Sequence, residues 1–497
     1  MAELSGTAGD TVTSGGGGGG RGARHAVVVG GSIAGLLAAR VLTNHADRVT
    51  VIERDRYPEG PEPRAGVPQG RHVHVLLESG QRALEELLPG FLAELRDHGA
   101  PRIGMPGELL QWQAGRFFRR TPSSAYLLTG SRPLLEWLVR RRVLADPRIT
   151  VVPGTEVVGL AGDPGRVRGV RLRERGAGGR QDVRTLTADL VVDASGRATR
   201  SPEWLTELGV RPPGTDTLDT GLAYASRYYR APEPPPGPDC LGYFFVSGRQ
   251  HAEGGGILPA EGGRYLVTLS GLRGTEPPSD EAAFLGFAAR LPHPSLHTWL
   301  TAAEPETPVH TFRSAGNVRR RYDTAGPQPA GFLATGDALC FFNPVYGQGM
   351  SVAALDALAL DRALADPRRT PTTRRVQLAL LRTSRQAWDI ASGADRGIEG
   401  VRGSAVRVHP AQRPAAWYLE RVLARAPGDP VIGDAFRSVT HLNAPPGVLF
   451  TPRVARAVLF DRPRPDLPGP QQRQEAAGPP GQRRRSGESE PVRYAAD

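Results

Sequence analysis

A glycine-rich turn near the start of the chain has the residue types that bind a pyrophosphate. An apolar run at 26–29 is long enough for one buried strand, and it leads through Gly30 and Gly35 into a helical pattern. Gly30 permits a tight turn, Gly35 permits close packing of helix on strand, and the first N–H groups of the helix favour an anion. The residues of this turn predicted to contact a dinucleotide are Gly30, Gly31, Ser32, Ile33, Ala34 and Gly35.

An acidic residue ends the next predicted strand. The run VTVI at 49–52 is followed by Glu53, eighteen residues after Gly35, where a dinucleotide fold needs a carboxylate for the ribose hydroxyls. Ser32 stands where the common G-x-G-x-x-G pattern has its second glycine, and a serine still lets the backbone approach the phosphates. Arg54, directly after the acid, is added to the predicted contacts.

Two later strand patterns also end in an acid. A strand at 188–192 closes on the turn DASG at 193–196, and an apolar strand from Gly331 ends in Gly336 and Asp337. The sequence NPVYGQGM follows at 343–350, just before a long helical pattern at 351–364. Together with the first turn, these motifs indicate one nucleotide-binding unit built from distant parts of the chain.

The composition limits the classes of protein to which the chain can belong. With 497 residues it exceeds what one hydrophobic core usually serves, and its apolar content of 39% is that of a globular protein. No apolar run approaches the roughly 18 residues of a membrane span, and the first 22 residues lack the apolar core of a signal peptide. We therefore expect a cytoplasmic protein with no membrane partner.

The basic residues are all arginines, 62 in number, and the chain contains no lysine. The absence of lysine excludes a lysine Schiff base and a P-loop lysine. The formal charge of +11 could attract nucleic acid, but the arginines are scattered and no nucleic-acid module accompanies them. We expect no nucleic-acid partner. Two cysteines, Cys240 and Cys340, are too few for a disulfide framework or a cysteine-based zinc site.

Changes of pattern along the chain divide it into units. Residues 201–321 hold alternating aromatic segments between Pro and Gly turns, which predicts a mostly antiparallel sheet that could hold an apolar ligand. Residues 149–152 and 157–160 predict a hairpin. The predicted units are a disordered Gly-rich tail at 1–23, a nucleotide-binding domain from 24–103, 129–200 and 327–366, a substrate-binding β-sheet domain from 104–128 and 201–326, a helical region at 367–465, and a disordered tail at 466–497.

Two histidines and three strand residues complete the candidates. His72 and His74 share one face of a predicted strand and could form a metal pair, but no Asp, Glu or Cys accompanies them at ligand spacing. We therefore expect no metal, and hydrogen bonding beside the cofactor instead. The side chains predicted as walls of a substrate pocket are Tyr224, Phe245 and Leu269.

The three strand-end motifs resemble those of the flavoprotein monooxygenases with the para-hydroxybenzoate hydroxylase fold, over residues 24–366. The resemblance implies FAD as cofactor. It also implies an α/β fold with a Rossmann-like FAD-binding domain, an inserted, mostly antiparallel β-sheet substrate domain and a C-terminal helical region. The turn DASG at 193–196 departs from the Asp-Gly of that family, so its handling of a pyridine nucleotide is not carried over.

The same resemblance implies roles for several residues. Asp337 would bind the ribityl and pyrophosphate part of FAD, Arg132 would lie near the phosphates, and the backbone of Val157 would meet the adenine. The helix N-terminal amides of 347–350 would meet the flavin pyrimidine edge, where negative charge accumulates on reduction. The remaining predicted cofactor contacts are Arg71 and, in the segment 343–350, Pro344, Gly347, Gln348, Gly349 and Met350.

A narrower resemblance lies in GVPQGRHVHVLL at 66–77 and NPVYGQGMS at 343–351. These segments are similar to the flavin epoxidases of ionophore polyether biosynthesis, of the monensin and lasalocid type. The resemblance implies epoxidation of C=C bonds in a linear polyene polyketide, in polyether antibiotic biosynthesis, through a flavin C4a-hydroperoxide formed with O2. Electrons would come from NADPH or from a separate flavin reductase. No side chain is assigned as an obligatory acid or base, because alkene epoxidation needs none.

The same motifs are compatible with other functions. An aromatic hydroxylase would need a phenol and a base, and a prenyl-chain reductase of the same superfamily would use reduced flavin without oxygen. A flavin halogenase needs a lysine and a Trp-x-Trp-x-Ile-Pro run, and the chain has neither. A non-enzymatic FAD-binding regulatory protein would never consume oxygen. For the epoxidase, we expect a long, mostly apolar cavity over the flavin with few charged side chains.

Overall fold

A computed structural model gives the structure of the chain and describes residues 23–175, 183–233, 235, 239–313, 316–366, 368, 371–407, 410–465 and 469–470. The tails predicted to be disordered, 1–23 and 466–497, lie outside the described residues except for 23, 469 and 470.

The strands, in chain order, are β1 (His25–Val29), β2 (Arg48–Ile52), β3 (Val75–Leu76), β4 (Arg102–Met105), β5 (Leu109–Gln113), β6 (Arg116–Phe117), β7 (Ala125–Thr129), β8 (Ile149–Val152), β9 (Thr155–Asp163), β10 (Arg166–Glu174), β11 (Arg184–Thr187), β12 (Leu190–Asp193), β13 (Gly214–Leu218), β14 (Ala223–Arg230), β15 (Gly242–Phe245), β16 (Glu253–Pro259), β17 (Tyr265–Gly271), β18 (Glu304–Pro305), β19 (His310–Arg313), β20 (Asn317–Arg321), β21 (Phe332–Ala334) and β22 (Cys340–Phe341). The α-helices are α1 (Ile33–Leu42), α2 (Glu78–Leu87), α3 (Phe91–Asp97), α4 (Arg132–Val143), α5 (Ser201–Glu207), α6 (Glu281–Ala288), α7 (Ser295–Ala302), α8 (Gly349–Ala365), α9 (Thr373–Asp395), α10 (Arg413–Arg425), α11 (Pro430–Thr440) and α12 (Pro452–Leu459).

A parallel five-stranded sheet in the order β21-β12-β1-β2-β8 forms the centre of the fold. Its middle strand β1 is buried along its whole length, as a continuous apolar run predicts for a strand covered on both faces. Because the strands are parallel, their carboxyl ends share one edge, and the predicted turns after β1, β12 and β21 meet there. The Rossmann-like part of the predicted fold is confirmed.

The predicted hairpin at 149–160 is wrong. β8 is the edge strand of the parallel sheet and pairs with β2, whereas the hairpin is formed by β9 and β10, with β11 beside it. The local alternation of apolar residues predicts a strand correctly, but it carries no information about which strand will be the partner.

The second large sheet has eight strands in the path β18-β14-β17-β16-β15-β5-β6, with β19 pairing β14. Its pairs are antiparallel except for β15 with β5. Helices α6 and α7 contribute Phe284 and Trp299 to the core on one face of this sheet. The opposite face is turned towards the parallel-sheet domain, as the lining described below shows.

Two small sheets join these parts. β3, β7 and β4 form one, and β13, β20 and β22 form the other. The segment 104–128, predicted as part of the substrate sheet, is therefore divided: β5 and β6 belong to the eight-stranded sheet, while β4 and β7 pair with each other.

Side-chain caps mark the start of several helices of the described chain. The side chain of Ser131 accepts a hydrogen bond from the Leu134 amide at 3.2 Å, which places Arg132 at the first position of α4. Thr372 caps α9 in the same way, and Asp429 caps α11.

The C-terminal helices pack into a cluster of their own. α10, α11 and α12 bury Val422, Ile432 and Val458 together, and Phe118 of the chain before β7 joins this cluster. The predicted helical region is therefore confirmed as part of the fold. Within the described residues, no helix has both the length and the apolar character needed to cross a membrane.

Candidate functional site

Two glycines let β1, α1 and β12 approach each other closely at the predicted dinucleotide turn. Gly30 has φ +98°, and a Cβ added there would lie 2.5 Å from the Ala194 carbonyl oxygen. A Cβ on Gly35 would lie 1.8 Å from the carbonyl oxygen of Gly30. Both positions therefore require glycine for the packing of strand, turn and helix, as the sequence predicts.

The acid predicted for the ribose is held rigidly at the end of β2. Glu53 is buried and accepts hydrogen bonds from the amides of Gly31 at 2.8 Å and Asp55 at 2.9 Å. Arg64 lies 3.3 Å from the same carboxylate, and also pairs with Asp55. Arg64 was not among the predicted site residues, because it lies in a Pro- and Gly-rich loop without a local pattern.

Hydrogen bonds of Ser32 join this turn to a buried ion pair on α4. Ser32 and Arg132 both donate hydrogen bonds to Glu136, at 2.8 and 3.2 Å, and Arg132 also donates to Ser32 at 2.8 Å. Burial opposes ionisation of Glu136, but Arg132 and Arg64 outweigh it and hold the pKa of its carboxyl below its usual value. Ser32, which stands where the common pattern has its second glycine, therefore holds Arg132 at the turn through its hydroxyl.

The Gly336–Asp337 turn brings a carboxylate to the same edge of the sheet. Burial raises the pKa of Asp337 to about 6, while the positive charges of Arg132, Arg197 and Arg320 act in the opposite direction. Arg320 itself is held by the backbone, since it donates to the carbonyl oxygens of Ala338 at 3.0 Å and Arg197 at 3.1 Å.

The segment 343–350 presents amides and two unpaired acceptors to the cavity. Gly347 is left-handed with φ +64°, and α8 begins at Gly349, where an added Cβ would meet no atom within 4 Å. Asn343 Oδ1 and Gln348 Oε1 are buried, and neither has a hydrogen-bond partner among the described residues. Open space at a helix N-terminus beside unpaired acceptors fits a planar heterocycle that carries both N–H and carbonyl groups, such as flavin.

A carboxylate on α9 anchors this segment. Asp395 accepts hydrogen bonds from Tyr346 Oη, from Asn343 Nδ2 at 3.1 Å and from Asn317 Nδ2 at 2.7 Å. Burial raises the pKa of Asp395, and these three donors oppose that rise. Sequence reasoning missed Asp395 and Asn317, because each lies in a different element from the motif that it holds.

The three predicted turns and the segment 343–350 line one cavity of about 1370 Å³, while Glu136, Arg320 and Asp395 support it from outside the lining. Its walls are the carboxyl edge of the parallel sheet, one face of the eight-stranded sheet, and α9, α10 and α11. The predicted residues that line it are Gly30, Gly31, Ser32, Ile33, Ala34, Glu53, Arg54, Arg132, Val157, Tyr224, Asp337, Pro344, Gly347, Gln348, Gly349 and Met350. The predicted residues that do not are Gly35, Arg71, Phe245 and Leu269.

The two predicted wall residues Phe245 and Leu269 require correction. They are 1% and 0% exposed and pack into the core beside α6 and α7, on the far face of the sheet. Side chains alternate between faces along a strand, so their neighbours Phe244 and Ser270 face the cavity instead. The aromatic strands were identified correctly, but their face was assigned one residue out of register.

Arg71 and Gly35 lie beside the cavity rather than in its lining. Arg71 is exposed, and its Nη1 lies 3.1 Å from His310 Nδ1 on β19, so its guanidinium is directed to the sheet. Gly35 is covered by Gly30 and acts through packing.

The two histidines take part in hydrogen bonds at the cavity. His72 Nδ1 is 2.7 Å from Ser226 Oγ, and His74 Nδ1 is 2.8 Å from the His72 carbonyl oxygen. Burial lowers the pKa of His72 to about 4 and that of His74 to about 3, so both rings are neutral at pH 7. Across the ranges that the structure describes, no group of three or more His, Cys, Asp or Glu residues could hold a metal ion.

The expectation of few charged side chains holds on the sheet wall but not on the helix wall. There Arg249 pairs with Glu420 at 3.1 Å, and Arg385 lies 3.7 Å from Asp389. These pairs come from α9, α10 and the loop after β15. The cavity is therefore uncharged along the sheet, where Gln111, Thr268 and Ser270 lie beside apolar side chains, and charged at the helical end.

Asp356 on α8 predicts a pH dependence of stability. It is buried, its Oδ2 accepts the Gly336 amide at 3.3 Å, and burial raises its pKa to about 8. A carboxyl with a raised pKa in the folded state binds a proton that the unfolded state has lost. The free energy of unfolding should therefore fall as the pH rises from 4 to 8, by roughly 1 kcal/mol per pH unit. Urea unfolding at pH 6.5 and 7.5 measures this difference, and in Asp356→Asn the free energy of unfolding should fall less between the two pH values. Equal falls in the wild type and in Asp356→Asn would contradict the assignment of the pH dependence to Asp356.

Comparisons with known proteins agree with this geometry. A family model described as an FAD binding domain matches residues 24–374. Protein Rv3254 of Mycobacterium tuberculosis is 34% identical over 458 residues, which cover 88% of this chain and 94% of that protein. The 6-methylpretetramide 4-monooxygenase of Streptomyces rimosus is 33% identical over 177 residues, 34% of this chain and 38% of that enzyme.

Solved structures show the same fold. The crystal structure of p-nitrophenol 4-monooxygenase PnpA from Pseudomonas putida DLL-E4 matches with a TM-score of 0.58 at 16% identity, covering 85% of this chain and 98% of that one. The matched family model spans more than half of the chain, including every strand of the parallel sheet. This chain therefore belongs to the FAD-binding monooxygenases with the para-hydroxybenzoate hydroxylase fold, and FAD is its cofactor.

Proposed function

We propose that this monooxygenase epoxidises C=C bonds of a linear polyene polyketide in polyether antibiotic biosynthesis. The observation that carries the proposal is the sheet wall of the cavity, formed by the eight-stranded sheet together with β4 and β7. It includes Met105, Leu109, Leu127, Phe244, Val246 and Leu258 beside the polar Gln111, Gln113, Thr268 and Ser270, and it has no carboxylate, arginine or lysine among its described residues. An alkene is oxidised without a base, so such a wall is sufficient for it. The volume of about 1370 Å³ exceeds the range of a usual single-ligand pocket, which leaves room for a chain beside FAD.

The residues around the cofactor have binding and positioning roles. The turn at Gly30 and the carboxylates of Glu53 and Asp337 would hold the nucleotide part of FAD, and the start of α8 would face the flavin. Bound and reduced, FAD supplies the oxygen-transfer chemistry with O2. Electrons are proposed to come from NADPH or from a separate flavin reductase. The sheet wall would exclude water and hold one alkene at a time in line with the flavin.

The test is a product analysis. The FAD-loaded protein is incubated with a linear polyene, NADPH or a flavin reductase, and isotopically labelled O2, and the oxygen atoms added are counted by mass spectrometry. Labelled products with one oxygen per oxidised alkene support the proposal. Hydrogenated products without label would identify a reductase, and the absence of oxygen uptake with any reductant would favour a binding protein.

A second candidate is the hydroxylation of an aromatic ring. It is favoured by the 33% identical segment shared with the enzyme named 6-methylpretetramide 4-monooxygenase. A hydroxylase of phenols gains from a base that takes the phenolic proton. Incubation with a phenolic polyketide under the same conditions distinguishes the two, since only a hydroxylase would add oxygen to the ring.

Substitution of two neighbouring phenylalanines should distinguish the role of a cavity-lining side chain from that of a core side chain. Phe244 lines the cavity, whereas Phe245 is buried behind the sheet. Phe244→Ala is expected to change which alkene or which face is oxidised, with little loss of stability. Phe245→Ala should lower the free energy of unfolding by about 3 kcal/mol and leave the product pattern of the folded protein unchanged. Chiral product analysis and urea unfolding measure the two effects, and the reverse assignment would contradict the register described above.

A further inference from the structure

Exposed apolar side chains are concentrated on the C-terminal helices. Of the seven large apolar side chains exposed in the described residues, five lie between 417 and 460. They are Trp417, Leu419, Phe450, Leu459 and Phe460; Leu419 lines the cavity, and we call the other four the α10–α12 face. Phe460 is 80% exposed and Trp417 is 54% exposed, values far from those of residues in a protein core.

Contacts between the helices make this one continuous surface. The ring of Tyr418 stacks on Phe450 with centroids 4.8 Å apart, which joins α10 to the segment before α12. Arg421 lies over the Trp417 ring at 5.3 Å and also reaches the Val458 carbonyl oxygen at 3.5 Å. Arg421 therefore places Trp417 beside the end of α12, where Leu459 and Phe460 are exposed.

The surface is basic as well as apolar. Arg413, Arg453, Arg456 and Arg462 are exposed around it. Of these four, only Arg456 has a carboxylate within ion-pair distance among the described residues, Asp461 at 3.6 Å. Exposed aromatic rings beside unpaired arginines are typical of segments that lie in the headgroup region of an anionic bilayer.

The chain's own C-terminal segment is a poor cover for this face. Residues 471–497 include only Val492 and Tyr494 as large apolar residues, and their five arginines, at 473, 483–485 and 493, are nearly balanced by four acids at 475, 488, 490 and 497. A segment of that composition offers little apolar area to cover exposed aromatic rings, and its near-neutral charge does not match the basic face. The charge of the face instead complements an anionic surface.

We infer that the α10–α12 face docks on an anionic lipid bilayer, lying on its surface without crossing it. Ala415, Ala416 and Leu419 of α10 line the cavity, whereas Trp417 does not, so the docked helix would form the wall between the cavity and the lipid in which an apolar substrate partitions. The inference replaces the expectation of no membrane partner, which was based only on the lack of a spanning segment. It holds for any apolar substrate and does not depend on epoxidation.

The experiment uses the full-length FAD-loaded protein and sedimented vesicles of phosphatidylcholine, with or without phosphatidylglycerol. Binding is expected for vesicles with phosphatidylglycerol and should weaken as salt rises. Trp417 is the most exposed tryptophan of the chain, so brominated lipid should quench a component of the emission that is lost in Trp417→Phe.

Paired variants give the test its controls. Trp417→Ser/Phe460→Ser should lower vesicle binding by about tenfold or more, and Arg453→Gln/Arg456→Gln by roughly fivefold per arginine. Leu241→Ser/Arg362→Gln, at exposed positions elsewhere, should bind like the wild type. Retained FAD shows that each variant is folded. Absence of sedimentation with either vesicle, equal binding to both vesicles, or a dimer that Trp417→Ser/Phe460→Ser abolishes would overturn the inference.

Discussion

The Gly349→Val protein is expected to fold normally and to purify without bound FAD. Gly349 opens α8, is exposed to the cavity, and has no atom within 4 Å of the place where a Cβ would stand. A valine there would fill the space in which the helix amides are expected to meet the flavin, and overlap of this kind costs about 3 kcal/mol. The affinity of the apoprotein for FAD, followed by flavin fluorescence, should fall on the order of 100-fold.

Two other glycines provide the comparison. Gly286 on α6 also has nothing within 4 Å, but it lies outside the cavity, so Gly286→Val should keep both the fold and the affinity for FAD. Gly35→Ala should lose both, because its Cβ would lie 1.8 Å from the Gly30 carbonyl oxygen. If Gly349→Val retained FAD as tightly as the wild type does, the flavin could not lie at the start of α8.

The Asp395→Ala protein should lose about 3 to 5 kcal/mol of unfolding free energy. The substitution leaves three buried donors, on Tyr346, Asn343 and Asn317, without their acceptor, and each unpaired donor costs about 1 to 3 kcal/mol. The segment 343–350 would also lose its attachment to α9. We therefore expect weaker FAD binding and a changed flavin absorption spectrum in whatever fraction remains folded. Urea unfolding and the flavin spectrum measure these effects.

The matched control lies on the same helix. The Asp389 side chain is 57% exposed and lies 3.7 Å from Arg385, and exposed pairs of this kind contribute at most about 1 kcal/mol. Asp389→Ala should therefore have little effect on unfolding or on the flavin spectrum. Equal losses in both variants would show that α9 as a whole, rather than the Asp395 carboxylate, determines the result.

The cofactor side of the fold could be predicted from sequence because its signals are local. The turn at Gly30, the acid at Glu53 and the Gly336–Asp337 turn each follow a strand directly, and parallel strands must end on the same edge. The apolar run, the glycine and the acid that follow one another in the sequence therefore indicate both the strand and the edge of the parallel sheet at which it ends. The fold class followed from the same argument.

The substrate side could not be predicted to the same depth, since its geometry depends on partners distant in the sequence. Phe244 and Phe245 are both aromatic and adjacent, and only the pairing with β16 and β5 decides which of them faces the cavity. Asp395 lies about fifty residues after the segment that it anchors, within an ordinary amphipathic helix. No local pattern distinguishes it from Asp389, the other acid of α9.

The position of the helical wall has a consequence for how relatives should be classified. The FAD-binding family model ends at residue 374, whereas the cavity continues along α9, α10 and α11 as far as Leu449. Two homologues can therefore share every cofactor motif and still accept different substrates. Substitutions in the helical wall change the shape of the cavity, while the chemistry at the flavin stays the same. Grouping by substrate should rest on residues 385–449, and exchange of that stretch between homologues is the natural route to altered selectivity.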